Sequence, residues 1–378
     1  MHKITILLMI GSLLSPLFSP IAEAVRIRKD QSNLSATEQT AFVNALHSMK
    51  TTASDNPNVS VYEQFVTRHA STVAYNPNPA HQGPAFLPWH RQFIWEFESA
   101  MLDHDQTGTL TGLTYWNWAL DQDTSKGPWT DNFLGGNGDP EDHNIVKSGP
   151  FREGEWAMTV NIGPDENNEP IIIQLDNPEP LMRAFGIDES ASTLPSVADV
   201  VQALAINVYD TAPWNYDSDI NGSFRNNLEG FHGDDIGLHN RVHVWAGGSM
   251  GPMTSPIDPV FWLHHAFVDN IWFEWQSENG YDTYLPLGDG PDGHNLNDLM
   301  PGLDVLVADA LDPRDFGGEG YIYQGAVIPD PTFFGFFTAA MAALIVLRGV
   351  PDKLKAGRPY YICGSGLSRW RNAYHKWG

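Results

Sequence analysis

Cysteine is almost absent from this 378-residue sequence, which contains only Cys363. A single cysteine can form no intrachain disulfide, and it cannot build a cysteine-based zinc or iron–sulfur site. Any metal ion that the chain binds must therefore be held by histidine and carboxylate side chains. With 42% hydrophobic residues, the chain is nevertheless long and apolar enough to bury a sizeable core.

Positive charge is also scarce, because 21 Lys and Arg residues stand against 46 Asp and Glu residues, giving a formal net charge of −25. Binding of nucleic-acid phosphates needs clustered Lys and Arg side chains, so a nucleic-acid partner is excluded. A neutral or cationic small substrate fits this balance better. The positive charges that are present concentrate in residues 345–378, which carry seven basic residues and one acid, Asp352.

The beginning of the chain has the pattern of an export signal. Residues 1–24 have Lys3 near the start, an apolar run over residues 4–14 and the tripeptide Ala22-Glu23-Ala24. This order is typical of a secretory signal peptide, with cleavage expected after Ala24. We therefore predict export to the periplasm, the cell surface or the medium. An uncleaved N-terminal anchor is the alternative.

The other end, residues 326–378, is a hydrophobic segment followed by a basic one. Residues 332–347 form a run of sixteen residues without a charge, slightly short of the ~20 apolar residues that a spanning helix needs. The segment resembles bacterial C-terminal sorting tails, which predicts sorting, anchoring or membrane contact. The basic residues beyond Arg348 depart from the short basic end of such tails, and a buried core helix is the alternative.

Helical patterns are evident in the first part of the chain between these ends. Ser35 and Glu38 predict a capping box at the start of an amphipathic helix. A second helix is predicted over residues 59–70. A third is predicted after Pro88, because Phe93, Phe97 and Met101 recur at helical spacing.

The middle of the chain carries weaker signals. Residues 121–194 are rich in Gly, Pro, Asn and Asp and are predicted to be mostly loop, with residues 171–175 as a strand candidate. Helical patterns return afterwards, and the last one covers residues 258–276. In that helix Asp258 suits the N-cap and Pro259 suits the first helical position.

The fourteen histidines of the chain divide by their surroundings. Some sit among polar residues and are predicted to be solvated, namely His47, His104, His143, His232, His294 and His375. Two groups remain, which are His69, His81 and His90 in the first and His239, His243, His264 and His265 in the second. His239 and His243 are spaced i, i+4 and share one helix face, which suits a common ion or a structural pair.

The adjacent pair His264 and His265 can supply one further ligand to this second group. The ring of His264 points about 100° away from that of His265 on a helix, so only one of the two joins easily. His265 would complete a group of three imidazoles, on the same face as Phe261.

Two groups of imidazoles narrow the choice of metal. Imidazole ligands suit zinc, copper, iron and nickel. A catalytic zinc ion usually has three protein ligands and a nearby acid that activates water, and no H-E-x-x-H pattern is present. Three plus three histidines in an exported protein therefore favour two copper ions that face each other.

The segments around these histidines resemble the two copper-binding motifs of the tyrosinase and type 3 copper family, close to the bacterial tyrosinases. The motifs are HQGPAFLPWHRQFIWEFE and LHNRVHVWAGG, with SPIDPVFWLHHAFVDNIWFEWQ completing the second, and the likeness is strongest over residues 61–280. The resemblance implies a copper domain over residues 25–325. It implies a mainly α fold, in which a four-helix-bundle core carries the dicopper site, with long irregular loops and little strand.

The resemblance also assigns metal ligands and chemistry. It implies one copper ion on His69, His81 and His90, and a second on His239, His243 and His265, since the second histidine of the HH pair is the ligand. The implied enzyme uses dioxygen to hydroxylate monophenols at the ortho position and to oxidise o-diphenols to o-quinones. A copper-delivery protein is a further expected partner. No cysteine lies near His81 to form the thioether of fungal members and molluscan haemocyanins, which agrees with the bacterial branch.

Four further residues match the family around this site. A phenol has a pKa near 10 and must lose its proton to bind copper well, and Asn240 with Glu229 matches the pair that positions a water as the base. The loop from Glu229 to His239 is longer than in close bacterial relatives. Phe261 matches an aromatic residue that stacks on substrate or restricts access, with core packing as its alternative. Asp269 is expected to hydrogen-bond a ligand imidazole, with a helix-surface salt bridge as its alternative.

Two other functions are compatible with the same six histidines. A catechol oxidase or o-aminophenol oxidase would need the copper ligands but not the water held by Asn240 and Glu229. A dioxygen carrier of the haemocyanin kind would need the site to be covered. The absence of a large covering domain after residue 280 argues against the carrier.

Overall fold

The computed structural model describes residues 25–325 except residues 168 and 234, and within them the chain is mainly helical, as predicted. Seven α-helices form the framework: α1 Ala36–Thr51, α2 Val61–Ser71, α3 Phe86–Asp103, α4 Val197–Leu204, α5 Phe224–Glu229, α6 Leu238–Ala246 and α7 Val260–Asn279. The predicted signal peptide, residues 1–24, and the predicted tail, residues 326–378, lie outside the described residues. Within the described part, no helix combines the length and the apolar character needed to cross a membrane.

The strands of the described part pair two by two, and all but β4 and β5 are short. They are β1 Arg26–Lys29, β2 Gly138–Asp139, β3 Ile145–Val146, β4 Ala157–Pro164, β5 Pro170–Pro180, β6 Phe231–His232, β7 Asp235–Ile236, β8 Leu299–Met300, β9 Val305–Leu306 and β10 Tyr321–Gln324. Strands β1 and β10 pair in parallel, and the other four pairs are antiparallel.

The starts of α1 and α7 follow their predicted capping signals. Ser35 accepts a hydrogen bond from the Glu38 amide while the Glu38 carboxylate accepts one from the Ser35 amide, which confirms the predicted capping box of α1. At α7 the Asp258 carboxylate accepts from the Val260 amide, so the helix begins one residue later than predicted. Helix α3 begins at Phe86, ahead of Pro88, because a proline in the first turn removes only an amide that has no helical partner.

Aromatic rings lock α2, α3 and α7 together. Phe65 of α2 lies 5.4 Å from Phe97 of α3 and 5.9 Å from Trp262 of α7, between ring centroids. Phe97 and Trp262 stack face to face with their centroids 3.5 Å apart. All three side chains are almost fully buried. Rings of this size bury large apolar areas, so their packing fixes the mutual positions of the helices that carry the histidines.

The region predicted as mostly loop contains a two-stranded hairpin. The predicted strand at residues 171–175 is part of the longer β5, and its partner β4 was missed. A signal for β4 exists, because Met158 and Val160 alternate with polar residues and point into the core. The surrounding Gly, Pro and Asn residues made the segment look irregular.

Candidate metal centre

The two histidine groups meet in the middle of the helical core. The possible ligand atoms within His69, His81 and His90 lie within 4.8 Å of one another, and so do those within His239, His243, His264 and His265. One histidine in each group, His81 and His243, is partly exposed, whereas the others are buried. The structure therefore brings together every histidine predicted as a ligand, with His264 beside them.

Two rings of the first group are oriented from behind by main-chain carbonyls. His69, near the end of α2, directs Nδ1 at the Met253 carbonyl oxygen at 2.6 Å, and His90, in the first turns of α3, directs Nδ1 at that of Phe86 at 2.9 Å. Donation from Nδ1–H leaves the lone pair on Nε2. Both Nε2 atoms are buried without a hydrogen-bond partner, as expected for atoms that bind a metal ion.

His81 completes the first group from a different kind of segment. It lies in the loop between α2 and α3, whereas the other predicted ligands lie on helices. Its ring centroid is 5.0 Å from that of His69 and 5.3 Å from that of His90. Its Nδ1 is buried and contacts no hydrogen-bond acceptor. Its ring is thus not oriented through Nδ1 as those of His69 and His90 are.

Three rings of the second group converge through their Nε2 atoms. Nε2 of His265, on α7, lies 3.3 Å from Nε2 of His239 and 3.3 Å from Nε2 of His243, both on α6. Nδ1 of His243 contacts the Met250 carbonyl oxygen at 2.7 Å. Nδ1 of His239 contacts Asn240 Oδ1 at 3.0 Å. The i, i+4 pair and one ring of the HH pair thus present their ligand atoms to a common point.

His264 has a different hydrogen-bond pattern. The indole N–H of Trp118 donates to Nδ1 of His264 at 3.1 Å, so the lone pair of the neutral ring lies on Nδ1 and the proton on Nε2. A ring in this tautomer has no free lone pair to offer the ion. The structure therefore favours His265 over His264 as the third ligand, in agreement with the resemblance.

The two groups face each other at close range. The rings of His90 and His265, one from each group, stack at 4.2 Å between centroids and are inclined by 15°. Burial lowers the pKa of His69 to about 3 and that of His243 to about 4, so these rings are neutral at physiological pH. Neutral imidazoles with free lone pairs are a donor set that suits two adjacent transition-metal ions.

Phe261 sits between the two groups rather than in an open channel. Its ring lies 4.1 Å from that of His265 and 5.2 Å from that of His69, between centroids, and it is fully buried. The alternative of core packing therefore accounts for its position, and substrate contact stays a prediction.

Glu229 and Asn240 both reach His239. The main-chain oxygen of Glu229 is 3.4 Å from Nδ1 of His239, the atom that Asn240 also contacts. The Glu229 carboxylate accepts from the Gln82 amide at 2.5 Å and pairs with Arg225 at 2.9 Å. Burial raises the pKa of Glu229 to about 7, against the lowering effect of Arg225.

The long loop between Glu229 and His239 folds into the β6–β7 hairpin and returns the chain to the site. Gly230 ends α5 with φ 103°, and a Cβ atom there would lie 2.1 Å from the Gly237 oxygen and 3.2 Å from Asn240 Cβ. Only glycine permits this approach. The hairpin therefore brings the end of α5, with Glu229, back beside Asn240 at the start of α6.

Asp269 does not orient a ligand imidazole. Its carboxylate accepts hydrogen bonds from Arg28, Arg91, Tyr321 and Tyr323, while Nδ1 of His265 has no partner. The surface salt bridge is also wrong, since Asp269 is 4% exposed. The buried arginines of β1 and α3 attract the carboxylate away from the histidines. Arg28 of β1 and the two tyrosines of β10 tie the two described ends of the chain to α7.

The prediction that six other histidines are solvated is only partly correct. His143 is exposed, whereas His47, His104 and His232 are half-buried, and His375 lies outside the described residues. For His294 the prediction of solvation is wrong. This residue is 1% exposed, and its Nδ1 accepts a hydrogen bond from the Ala85 amide at 3.1 Å. Polar neighbours in sequence concealed its burial, which comes from contacts with the His81 loop.

A helical core with two facing groups of three neutral imidazoles defines a protein with a binuclear metal centre. The sequence model of the common central domain of tyrosinase matches residues 59–278. A tyrosinase of Streptomyces antibioticus is 40% identical over 293 residues, which cover 76% of this chain and 96% of that protein. The chain belongs to the tyrosinase family, and its histidine groups suit the binuclear copper centre of that family.

Other proteins resemble this chain in sequence over most of its length or in fold. Grixazone synthase of Streptomyces griseus is 34% identical over 313 residues, which cover 77% of this chain and 98% of that protein. A mutant polyphenol oxidase from Thermothelomyces thermophila has a TM-score of 0.58 and 24% identity, covering 80% of this chain and 89% of that one. Tyrosinase from Burkholderia thailandensis has a TM-score of 0.53 and 14% identity, covering 82% of this chain and 76% of that one. These two structures share the fold.

Proposed function

We propose that this protein is a copper oxidase of phenols that acts as a tyrosinase, with dioxygen as the oxidant. The observation that carries the proposal is the pair of facing imidazole groups, of which His90 and His265 are the closest members. Curated tyrosinases about 40% identical over most of the chain support the same activity. The net reaction converts a monophenol and one dioxygen into an o-quinone and one water, so atoms and electrons balance.

We assign six histidines as the copper ligands. One copper ion is held by His69, His81 and His90, and the other by His239, His243 and His265. When bound, the copper pair supplies the activation of dioxygen for transfer to the phenol ring. The chain supplies fixed, uncharged ligands, because the Nδ1 contacts of His69, His90 and His243 to main-chain oxygens hold their Nε2 atoms in place.

The substrate approaches from the side of His81 and His243, the two partly exposed members of the groups. Val244 is half-buried next to His243 and adds no charge to that side. Together with the formal net charge of −25, this favours neutral or cationic phenols over acidic ones. Phe261 packs between the two groups of rings and limits how deeply a substrate ring can enter.

Glu229 and Asn240 hold the water that takes the phenol proton. Arg225 and the Gln82 amide fix the Glu229 carboxylate, and each carboxylate oxygen retains a lone pair for a further hydrogen bond. Asn240 lies next to the same face of His239. The pair can therefore accept a proton at the Glu229 carboxylate by way of one water molecule.

We also propose export through residues 1–24, membrane contact or sorting through residues 326–378, and help from a copper-delivery protein. The sequence patterns of the two segments support the first two. Mass spectrometry of the mature chain tests both: loss of residues 1–24 supports a cleaved signal peptide, and an intact N-terminus contradicts cleavage and supports the uncleaved anchor. The same spectrum shows whether the tail is removed.

The activity is tested with the copper-loaded full chain, a monophenol such as tyrosine and a catechol, in parallel with Glu229→Gln. We expect both substrates to be oxidised by the wild-type chain. In the variant we expect the kcat for the monophenol to fall at least tenfold while that for the catechol changes less than threefold. Oxidation of the catechol alone by the wild-type chain would show a catechol oxidase and contradict the role of Glu229.

A further inference from the structure

The loop that carries His81 is held from outside by side chains that are distant in sequence. Nδ1 of His294 accepts a hydrogen bond from the Ala85 amide at 3.1 Å, and the Tyr209 hydroxyl donates to the Pro84 oxygen at 2.7 Å. Nearer the ligand, the Gln82 amide donates to Glu229. The acceptors and donors come from three separate segments, all of which converge on residues 82–85.

The ring of His294 packs tightly on the loop and is buried there. Gly83 lies directly under its ring, since a Cβ atom at Gly83 would be 2.6 Å from Cε1 of His294. The main-chain oxygen of His294 accepts from the Tyr284 hydroxyl at 2.7 Å, and the Tyr284 ring packs on Tyr209 with centroids 4.6 Å apart. His294 is 1% exposed. The contact is therefore buried on every side.

We propose that His294 is a positioning residue that holds His81 in place for copper. His81 alone among the six predicted ligands lies outside a helix, and its Nδ1 is buried without a partner. Its position is thus set by its loop rather than by its own ring contacts. This inference rests on the proposed function, because it takes His81 as a copper ligand.

The inference is tested with the full chain carrying His294→Phe, which keeps a ring but removes the acceptor of the Ala85 amide. Hydrogen exchange of residues 78–86 in the copper-free protein reports on the loop, and chelator competition reports on copper affinity. We expect exchange to accelerate at least tenfold, and one of the two copper equivalents to bind at least tenfold more weakly. The other equivalent should stay within threefold of the wild-type value.

Two matched variants separate positioning from a general loss of packing. His294→Asn keeps an acceptor near the position of Nδ1 and should restore both exchange and copper affinity to within threefold. His47→Phe makes the same exchange of side chains at a half-buried histidine of α1, whose ring contacts the Pro150 oxygen. It should leave hydrogen exchange and copper affinity unchanged. Failure of the Asn variant to rescue would overturn the positioning role.

A second variant covers the case in which His294→Phe does not fold. Gly83→Ala keeps His294 but pushes the loop off its ring, and it should give the same pattern of fast exchange and one weakened copper equivalent. Gly288→Ala, which meets no atom within 4 Å, is its control. Unchanged exchange, or two copper equivalents of wild-type affinity, would overturn the inference.

The outcome also distinguishes this inference from the proposed function. A wild-type chain that binds fewer than two copper ions would refute the proposed function and, with it, the role of His294 in copper binding. If the wild-type chain binds two ions and neither His294→Phe nor Gly83→Ala weakens copper binding, only the role of His294 is refuted.

Discussion

Adjacent histidines on α7 have opposite hydrogen-bond patterns, and this difference decides which of them can bind metal. Trp118 donates to Nδ1 of His264, which places the proton of that ring on Nε2. Nε2 of His265 instead lies 3.3 Å from those of His239 and His243. One indole N–H thus separates a ligand from its neighbour in sequence.

The pair gives a direct prediction at the residue scale. His265→Ala should leave one tightly bound copper ion per chain, because the second group loses its third ligand. His264→Ala should retain two, since that ring offers no lone pair to the ion. Metal analysis of the purified, copper-loaded variants measures both. The reverse pattern would contradict the assignment within the HH pair.

Residue positions were predictable where the helix repeat alone sets them, and not elsewhere. The i, i+4 spacing of His239 and His243 suffices to bring their ligand atoms together. Asp269 is also one turn from His265, yet its carboxylate turns to Arg28 and Arg91, which come from β1 and α3. Its partners are far away in sequence, so local spacing could not reveal them.

At the scale of elements, the junction between α5 and α6 sets the geometry of the proposed base. Helix α5 ends at Glu229, and the β6–β7 hairpin then returns the chain to α6, which carries His239 and Asn240. The sequence did not show that this segment forms a hairpin, because the strands are only two residues long and are defined by their pairing.

Gly230 makes this junction testable. Gly230→Ala should destabilise the copper-free protein by about 3 kcal/mol, because it adds a left-handed φ for a residue with a Cβ atom and a clash with the Gly237 oxygen. Gly233→Ala in the same hairpin has a positive φ but no atom within 4 Å, so about 1 kcal/mol is expected. Equal losses in urea unfolding would show that the close approach at Gly230 is unimportant.

At the scale of the whole molecule, the helical framework could be predicted and the loop contacts could not. Helices α1, α2, α3 and α7 could be predicted from local sequence patterns, and for α1 and α7 these include capping residues; such signals act within a few residues. His294 lies 209 residues from Ala85, and its polar neighbours predicted solvation. Burial of that kind arises only when the complete chain has packed.

The fate of dioxygen in the oxidation of a monophenol tests the proposed tyrosinase activity at the atoms that react. The copper-loaded full chain is supplied with tyrosine and oxygen-18 gas, the quinone is reduced as it forms, and the diphenol is analysed by mass spectrometry. We expect one oxygen-18 atom per diphenol, placed ortho to the original hydroxyl group, and no product with His265→Ala. No diphenol from the monophenol, or a diphenol whose new oxygen comes from water, would contradict the proposed tyrosinase activity.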